Sequence, residues 1–142
     1  MISVVIATFN DERTLGQTLS ALVTAAVDGL VREVILADAG STDDTLEIAD
    51  DAGARVARGD VDAAIGVARS DWLLIVDVAL PAPSGWDEAV AAHINAGSGQ
   101  AAWWGSSSLL GKKTARGLLV SKRVYDAAGY LGALAKAKRL KL

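Results

Sequence analysis

Two stretches of this chain end in residues able to engage a ligand. Ile2-Ser3-Val4-Val5-Ile6-Ala7-Thr8-Phe9-Asn10 and Val34-Ile35-Leu36-Ala37-Asp38-Ala39-Gly40-Ser41-Thr42-Asp43-Asp44-Thr45 each pass from an apolar run into small and polar residues. A buried parallel strand reads this way when it delivers its C-terminal loop to a ligand crevice. A third run, Trp72 to Val76, ends in Asp77. Other chemistries are poorly served. Cysteine is absent, which removes disulfides and thiolate metal sites. The one histidine, His93, falls in a predicted helix and reads as a surface residue rather than a proton shuttle. The stretch from Gly105 to Lys113 approaches a phosphate loop, but it has one residue too many between its glycines and no Ser or Thr after the lysine. It reads as a turn.

Alternation of continuous apolar runs with helical spacing predicts an α/β protein with a mostly parallel twisted sheet. Strands are expected at 2–7, 31–37, 55–57 and 72–76, with a strand-like segment at 101–110 and a last strand at 117–121. Leu15, Leu19, Leu22 and Val23 mark a helix that Gly29 ends, and Gly53 closes a second helix capped by Ser41 or Thr42. Asp43 and Asp44 would then sit in its first turn. Further helices are expected at 62–69, at 84–96 with Trp86, Val90 and Ile94 on one side, and at 123–128, ended by Gly129. Pro81 and Pro83 stop the fourth strand. The adjacent Trp103 and Trp104 should place one ring on each face of their strand, where one could be core and the other serve a stacking site or a subunit contact.

Composition narrows the partners. The 142 residues fit one domain, and 51% hydrophobic against 22% charged residues argues against disorder. Fourteen basic and seventeen acidic residues give a net charge of −3, which does not invite nucleic acid. The chain opens directly on a strand and contains no apolar run of roughly 18 to 20 residues, so a cytoplasmic protein is expected. Lys136, Lys138, Arg139 and Lys141, interleaved with Leu134, Leu140 and Leu142, read either as an amphipathic helix attracted to anionic lipid or as a solvated helix end. The expected division is a domain at 1–130 and a basic C-terminal helix or tail at 131–142.

Four collinear blocks resemble family 2 glycosyltransferases. The segment from Ser3 to Asn10 is similar to that family's first strand and its turn, with Ala7 where proline is commonest. Asp38-Ala39-Gly40-Ser41-Thr42-Asp43 is similar to its Asp-Asp/Gly-Gly-Ser-Thr-Asp loop, and Ser70-Asp71-Trp72-Leu73-Leu74-Ile75-Val76-Asp77 to its Gly-Asp-Trp-Leu-Leu-Phe-Leu-Asp strand. Arg116-Gly117-Leu118-Leu119-Val120-Ser121-Lys122 resembles the segment before its acidic acceptor-side pair. The resemblance spans residues 2 to 130 and implies a single GT-A, Rossmann-like domain with helices on both faces of the sheet. It implies transfer of a sugar from a nucleotide-diphosphate donor to a hydroxyl acceptor.

Carried over position by position, the resemblance points to Ala7, Thr8 and Phe9 as the wall of a nucleotide pocket and to Asp38 as its polar contact, since a carboxylate accepts hydrogen bonds from a base N–H or a sugar hydroxyl. Replacing Asp38 by alanine should then weaken nucleotide binding with little effect on folding. Asp38 bonding its own loop, and Phe9 lying in the core, are the structural alternatives. Asp77 has three readings: catalytic, ribose-contacting or structural. The family's Asp-any-Asp motif holds a divalent cation on the diphosphate, but Ala79 stands at the ligating position. No cofactor is therefore expected, and manganese or magnesium is disfavoured. Val61-Asp62 replaces an Arg-Asn pair, and an acidic residue there would repel a diphosphate. No carboxylate follows Asp126, so no general base and no catalytic residue is carried over. Lys112, Lys113, Arg116 and Lys122 are the candidate substitutes for a metal. The alternative function is a catalytically inactive relative acting as a nucleotide-binding, partner-binding or dimeric scaffold, its dimer contact formed by Trp103, Trp104 and the last strand.

Overall fold

The computed structural model describes residues 1–78 and 82–142. Its elements are β1 (Ile2–Thr8), α1 (Glu12–Val27), β2 (Val31–Asp38), α2 (Thr45–Asp51), β3 (Arg55–Arg58), α3 (Val61–Val67) and β4 (Trp72–Val76). They continue as α4 (Trp86–Asn95), β5 (Ala102–Ser107), β6 (Lys113–Ser121), α5 (Lys122–Lys136) and β7 (Lys138–Arg139). Ala79 and Pro81, both singled out in the sequence, lie outside the described residues.

The seven strands form one sheet in the order β3-β2-β1-β4-β6-β5-β7. β1 pairs in parallel with β2 and β4, and β2 with β3, while β6 runs antiparallel to both β4 and β5. Only β6 therefore opposes the common direction. The chain builds outward through β2 and β3, then crosses back to lay β4 on the other side of β1. That reversal makes a topological switch point, where an open α/β sheet forms its ligand crevice.

Both faces are covered. Leu15, Leu19 and Leu22 of α1, Ala49 of α2, and Trp86 and Val90 of α4 pack on Val4, Ile6, Leu36, Leu74 and Leu119. On the other face, Ala64 and Ile65 of α3 join Tyr125, Ala133 and Leu134 of α5 over Val5, Ile35, Leu73, Ile75, Leu118 and Val120. Fully burying a leucine or isoleucine stabilises by about 1.5–3 kcal/mol, so the central strands hold the sheet. Val23, expected on the buried side of α1, is 53% exposed instead. Among the described residues no helix is long and apolar enough to cross a membrane.

The second half departs from the sequence expectations. β6 begins at Lys113 and closes a hairpin with β5, so it is an interior strand of the sheet. Gly129 takes φ 70° and kinks α5 without ending it, because Ala133 and Leu134 beyond it still find a buried place on the sheet. The 131–142 segment supplies the end of that helix and then β7, which pairs in parallel with β5. Its cations do not share one helix. Lys136 ends α5 and Lys138 and Arg139 lie in the strand. Trp103 and Trp104 do occupy opposite faces, and both are largely buried in the single chain.

Trp104 is opposite Gly117 in the hairpin, and a Cβ at Gly117 would lie 2.3 Å from the indole. Gly117→Ala should therefore destabilise the protein by about 1–3 kcal/mol, since the buried ring has no room to yield. Urea unfolding of the variant against the wild type measures it.

Candidate functional site

At the switch point, register places the residues singled out in the sequence along one edge. Ala7 and Thr8 of β1 lie beside Ala37 and Asp38 of β2, while Ile6 lies beside Val76, the residue before Asp77. Neighbouring strands are about 4.8 Å apart, so Asp38 and Asp77 flank the end of β1 roughly 10 Å from each other. Ala7 and Phe9 are exposed there, Phe9 to 57%, and Thr8 is buried. The core reading of Phe9 is thereby excluded. Its ring is on the surface at the end of β1.

Asp38 is almost wholly buried, and its carboxylate accepts from the Thr8 hydroxyl at 2.8 Å, the Ser41 hydroxyl at 2.6 Å, and the Gly40 and Ser41 amides at 3.0 and 2.8 Å. Burial raises its pKa, but these donors more than offset that and hold it below the ordinary carboxylate value. An ionised carboxylate offers about four acceptor positions, and four donors already meet this one. The side chain thus holds the loop that follows β2. Ser41, expected to cap α2, gives its hydroxyl to Asp38 and accepts from the Asn10 amide at 2.9 Å. Helix α2 consequently starts later, at Thr45, with Asp44 at its N-cap.

Asn10 is the functional-edge residue that the sequence reading left out of the site. It takes φ 52°, and its Oδ1 accepts from the amides of Thr42 at 2.9 Å and Asp43 at 3.3 Å. An asparagine just beyond a strand, able to adopt the left-handed region at modest cost, was the available signal. Asp43 accepts from the Glu12 amide, and Glu12 accepts from the Asp44 amide, each at 3.3 Å. The first turns of α1 and α2 thus cap one another, and the loops after β1 and β2 form one hydrogen-bonded body. Beside it lies a cleft of about 500 Å³ lined by Asp38, Gly40, Ser41, Leu46, Arg58 and Gly59. That volume is in the range of small-molecule pockets.

On the β4 side, Arg116 donates from Nη1 to Asp77 Oδ2 at 2.8 Å, and the Asp77 amide donates to the Arg116 carbonyl at 2.9 Å. Arg116 thus remains beside the crevice. Lys113 donates to the carbonyls of Leu134, Ala135 and Ala137 at the end of α5, and Lys122 to that of Ala68. Lys112 belongs to the exposed turn of the β5–β6 hairpin. Asp62, read as a charge facing a diphosphate, accepts from the Tyr125 hydroxyl at 2.6 Å and ties α3 to α5. Burial, and then this carboxylate, push the Tyr125 pKa upward. His93 Nε2 lies 2.6 Å from the Gln100 carbonyl and its ring meets Trp72 edge-on, a structural role at the end of α4.

The model of glycosyl transferase family 2 matches residues 3–105, most of the chain. The chain belongs to this family. It is 49% identical over 55 residues to glucosyl-3-phosphoglycerate synthase of Mycolicibacterium paratuberculosis, a match spanning 39% of the chain and 16% of that relative's length. Glucosyl-3-phosphoglycerate synthase of Mycobacterium tuberculosis, solved in complex with Mn2+, UDP and glucosyl-3-phosphoglycerate, superimposes with a TM-score of 0.71 at 20% identity. That superposition covers 98% of this chain and 68% of the other. TarS from S. aureus gives 0.70 at 16% identity over 89% and 48% of the two chains. The GT-A fold expected from the sequence is thus the fold observed.

The residues present do not fit a divalent cation held in the family's usual manner. Asp77 is engaged by Arg116, residue 79 is alanine, and among the described residues no group of three or more His, Cys, Asp or Glu side chains could hold a metal ion.

Asp38 should also set an acid limit on this glycosyltransferase domain. Its lowered pKa means that its contribution is full above the ordinary carboxylate value and is lost as pH falls through the folded value. Asp38→Asn should cost roughly 2 kcal/mol at neutral pH and flatten the fall in stability on acidification. This revises the sequence expectation that Asp38 could be replaced with little effect on folding. Denaturant titrations of both proteins at neutral and acid pH provide the comparison.

Proposed function

We propose that this domain binds a nucleoside-diphosphate sugar at the switch point and serves sugar transfer to a hydroxyl acceptor. The observation that carries the reading is the convergence of the ends of β1, β2 and β4 at one crevice in a chain of this family. In this reading Ala7, Thr8 and Phe9 form the nucleotide wall, with the exposed Phe9 ring as an apolar platform for a base or sugar. Asp38 acts by fixing the loop from Ala39 to Ser41 against the ligand, and Asp77 bounds the diphosphate end. A uridine nucleotide is the first donor to test, since similar structures hold UDP and UDP-Glc.

Engagement of Asp77 by Arg116 favours a second reading, in which the domain binds the nucleotide without catalysing transfer. Assay of sugar release from any donor that binds separates the two.

Calorimetry with UDP, GDP and their sugars is expected to give saturable binding to at least one of them. Phe9→Ala should weaken that binding about fivefold through loss of an aromatic contact worth about 1 kcal/mol. Its melting temperature should stay at the wild-type value, because the ring is largely exposed. No binding across the panel would reject the proposal, and unchanged affinity in Phe9→Ala would remove this residue from the wall.

A further inference from the structure

The environment of Arg116 contains more construction than an ordinary surface ion pair requires. In the hairpin, Trp104 pairs with Gly117 and the next residue, Gly105, pairs with Ala115, so Arg116 is an extra residue in β6. Such a bulge re-aims a side chain that strict alternation would send to the opposite face. Ala115 packs with the α3 and α5 face, whereas Arg116 lines the small cavity bounded by Thr18, Leu74, Asp77, Trp86 and Trp104. Two glycines permit this arrangement. Gly105 has φ 151°, and a Cβ there would lie 2.1 Å from the Thr114 carbonyl oxygen. Gly117 has room only for hydrogen beneath the Trp104 ring.

The same arginine opens onto a second space. Arg116 also lines a groove of about 760 Å³ together with Trp104, Ser106, Arg139 and Lys141. None of the described residues lining that groove is Asp or Glu. Arg139 is held in place by donating to the Gly105 carbonyl at 2.9 Å, the backbone of the bulge itself. A guanidinium offers five N–H donors in a planar fork, so contact with Asp77 through one nitrogen leaves the group able to meet phosphate oxygens as well.

We propose that Arg116, aimed by this bulge, supplies the positive charge that a divalent cation would otherwise bring to the diphosphate, so that this crevice binds a nucleoside diphosphate without metal. The inference rests on the nucleotide-binding reading above and adds the identity of the charge. Asp77 is then a positioning residue for Arg116 rather than a metal ligand. Removing its charge has opposite consequences in the two cases. A metal ligand lost to asparagine would abolish binding, whereas an asparagine that still accepts the Arg116 hydrogen bond would release positive charge to the phosphates.

The test is calorimetry of the full chain with inorganic pyrophosphate, UDP and GDP, in EDTA and in manganese. The wild type should bind with the same affinity in both. Arg116→Gln should weaken UDP or GDP about 10- to 100-fold, as expected for loss of a charge-assisted hydrogen bond. Arg116→Lys should fall between them, and Asp77→Asn should bind as tightly as the wild type or more so. Circular dichroism establishes that each variant is folded, and Arg116→Lys and Asp77→Asn decide the matter should Arg116→Gln not fold. Binding that requires manganese and vanishes in Asp77→Asn overturns the assignment, as does a wild-type affinity in Arg116→Gln. Either result leaves the nucleotide reading standing. Silence of the wild type toward all three probes overturns both.

Discussion

Parallel strands leave backbone amides in need of partners where they stop, and at the end of β2 the Asp38 carboxylate meets that need. Its position is a contest between two opposed effects. Burial disfavours the charged form, while four donors favour it, and the lowered pKa records which wins. Once the carboxylate is fixed, the loop after β2 can turn only one way. Ser41 then presents its oxygen to Asn10, and Asn10 returns its own oxygen to the amides of Thr42 and Asp43. The acidic side chains of Glu12 and Asp43 complete the lattice at two helix starts, where the backbone field favours negative charge. The crevice edge is therefore held by polar contacts, and its apolar members, Ala7 and Phe9, are free of packing duties.

The opposite end of the sheet uses the same chemistry for a different purpose. Glu33 accepts from the Ser3 hydroxyl at 2.7 Å, from Arg55 at 2.6 Å and from the Arg69 amide at 2.6 Å. Burial again raises its pKa and these partners more than offset it. Ser3 in turn accepts from the Ser70 amide, so the starts of β1, β2 and β4 are joined across the register shift between Ile2 and Ser3. Here the charge is closed in by an arginine and by backbone, and the cluster braces the strands. At the crevice end the loops are braced but the surface between them stays open. The nucleotide-binding proposal rests on that difference in bracing between the two ends.

The first half of the fold was legible because its determinants are local. Continuous apolar runs, the glycines at 29 and 53 and the helical spacing of Leu15, Leu19 and Leu22 each act within a few residues. The start of α2 was not, since Ser41 has two possible hydrogen-bonding duties and only the folded position of Asp38 chooses between them. Gly129 reads as a stop by propensity, yet packing of Ala133 and Leu134 on the far side of the kink lets the helix resume. The long β6 strand and β7 depend on partners far away in sequence, and a pattern of single residues carries little information about such pairing. At the site, the bonding of Asp38 to its own loop was among the readings the sequence offered, whereas its Thr8 partner and the pairing of Asp77 with Arg116 were not. Gly105 and Gly117, glycines inside strands, are the available signal for the bulge, whereas the helix-capping use of Lys113 has no signature in the sequence alone.

The pairing of Asp77 with Arg116 has an electrostatic logic that joins the sequence to the crevice. A carboxylate at a strand end beside a low-dielectric core needs a counter-charge, and a dication requires more than one such ligand to be held well. With alanine at residue 79, a permanently charged guanidinium is the simpler partner. Both side chains remain partly exposed, to 41% and 32%, so their attraction is softened by solvent and stabilises the fold by about 1 kcal/mol or less. Such a pair contributes little as a brace, yet it requires a bulge and two constrained glycines. On the metal-free proposal, that weakness lets a diphosphate compete for the guanidinium without disturbing the sheet beneath. The hydrogen bond from the Asp77 amide to the Arg116 carbonyl belongs to the backbone and is independent of that exchange. The side chains can change partners while the strands that carry them stay in register.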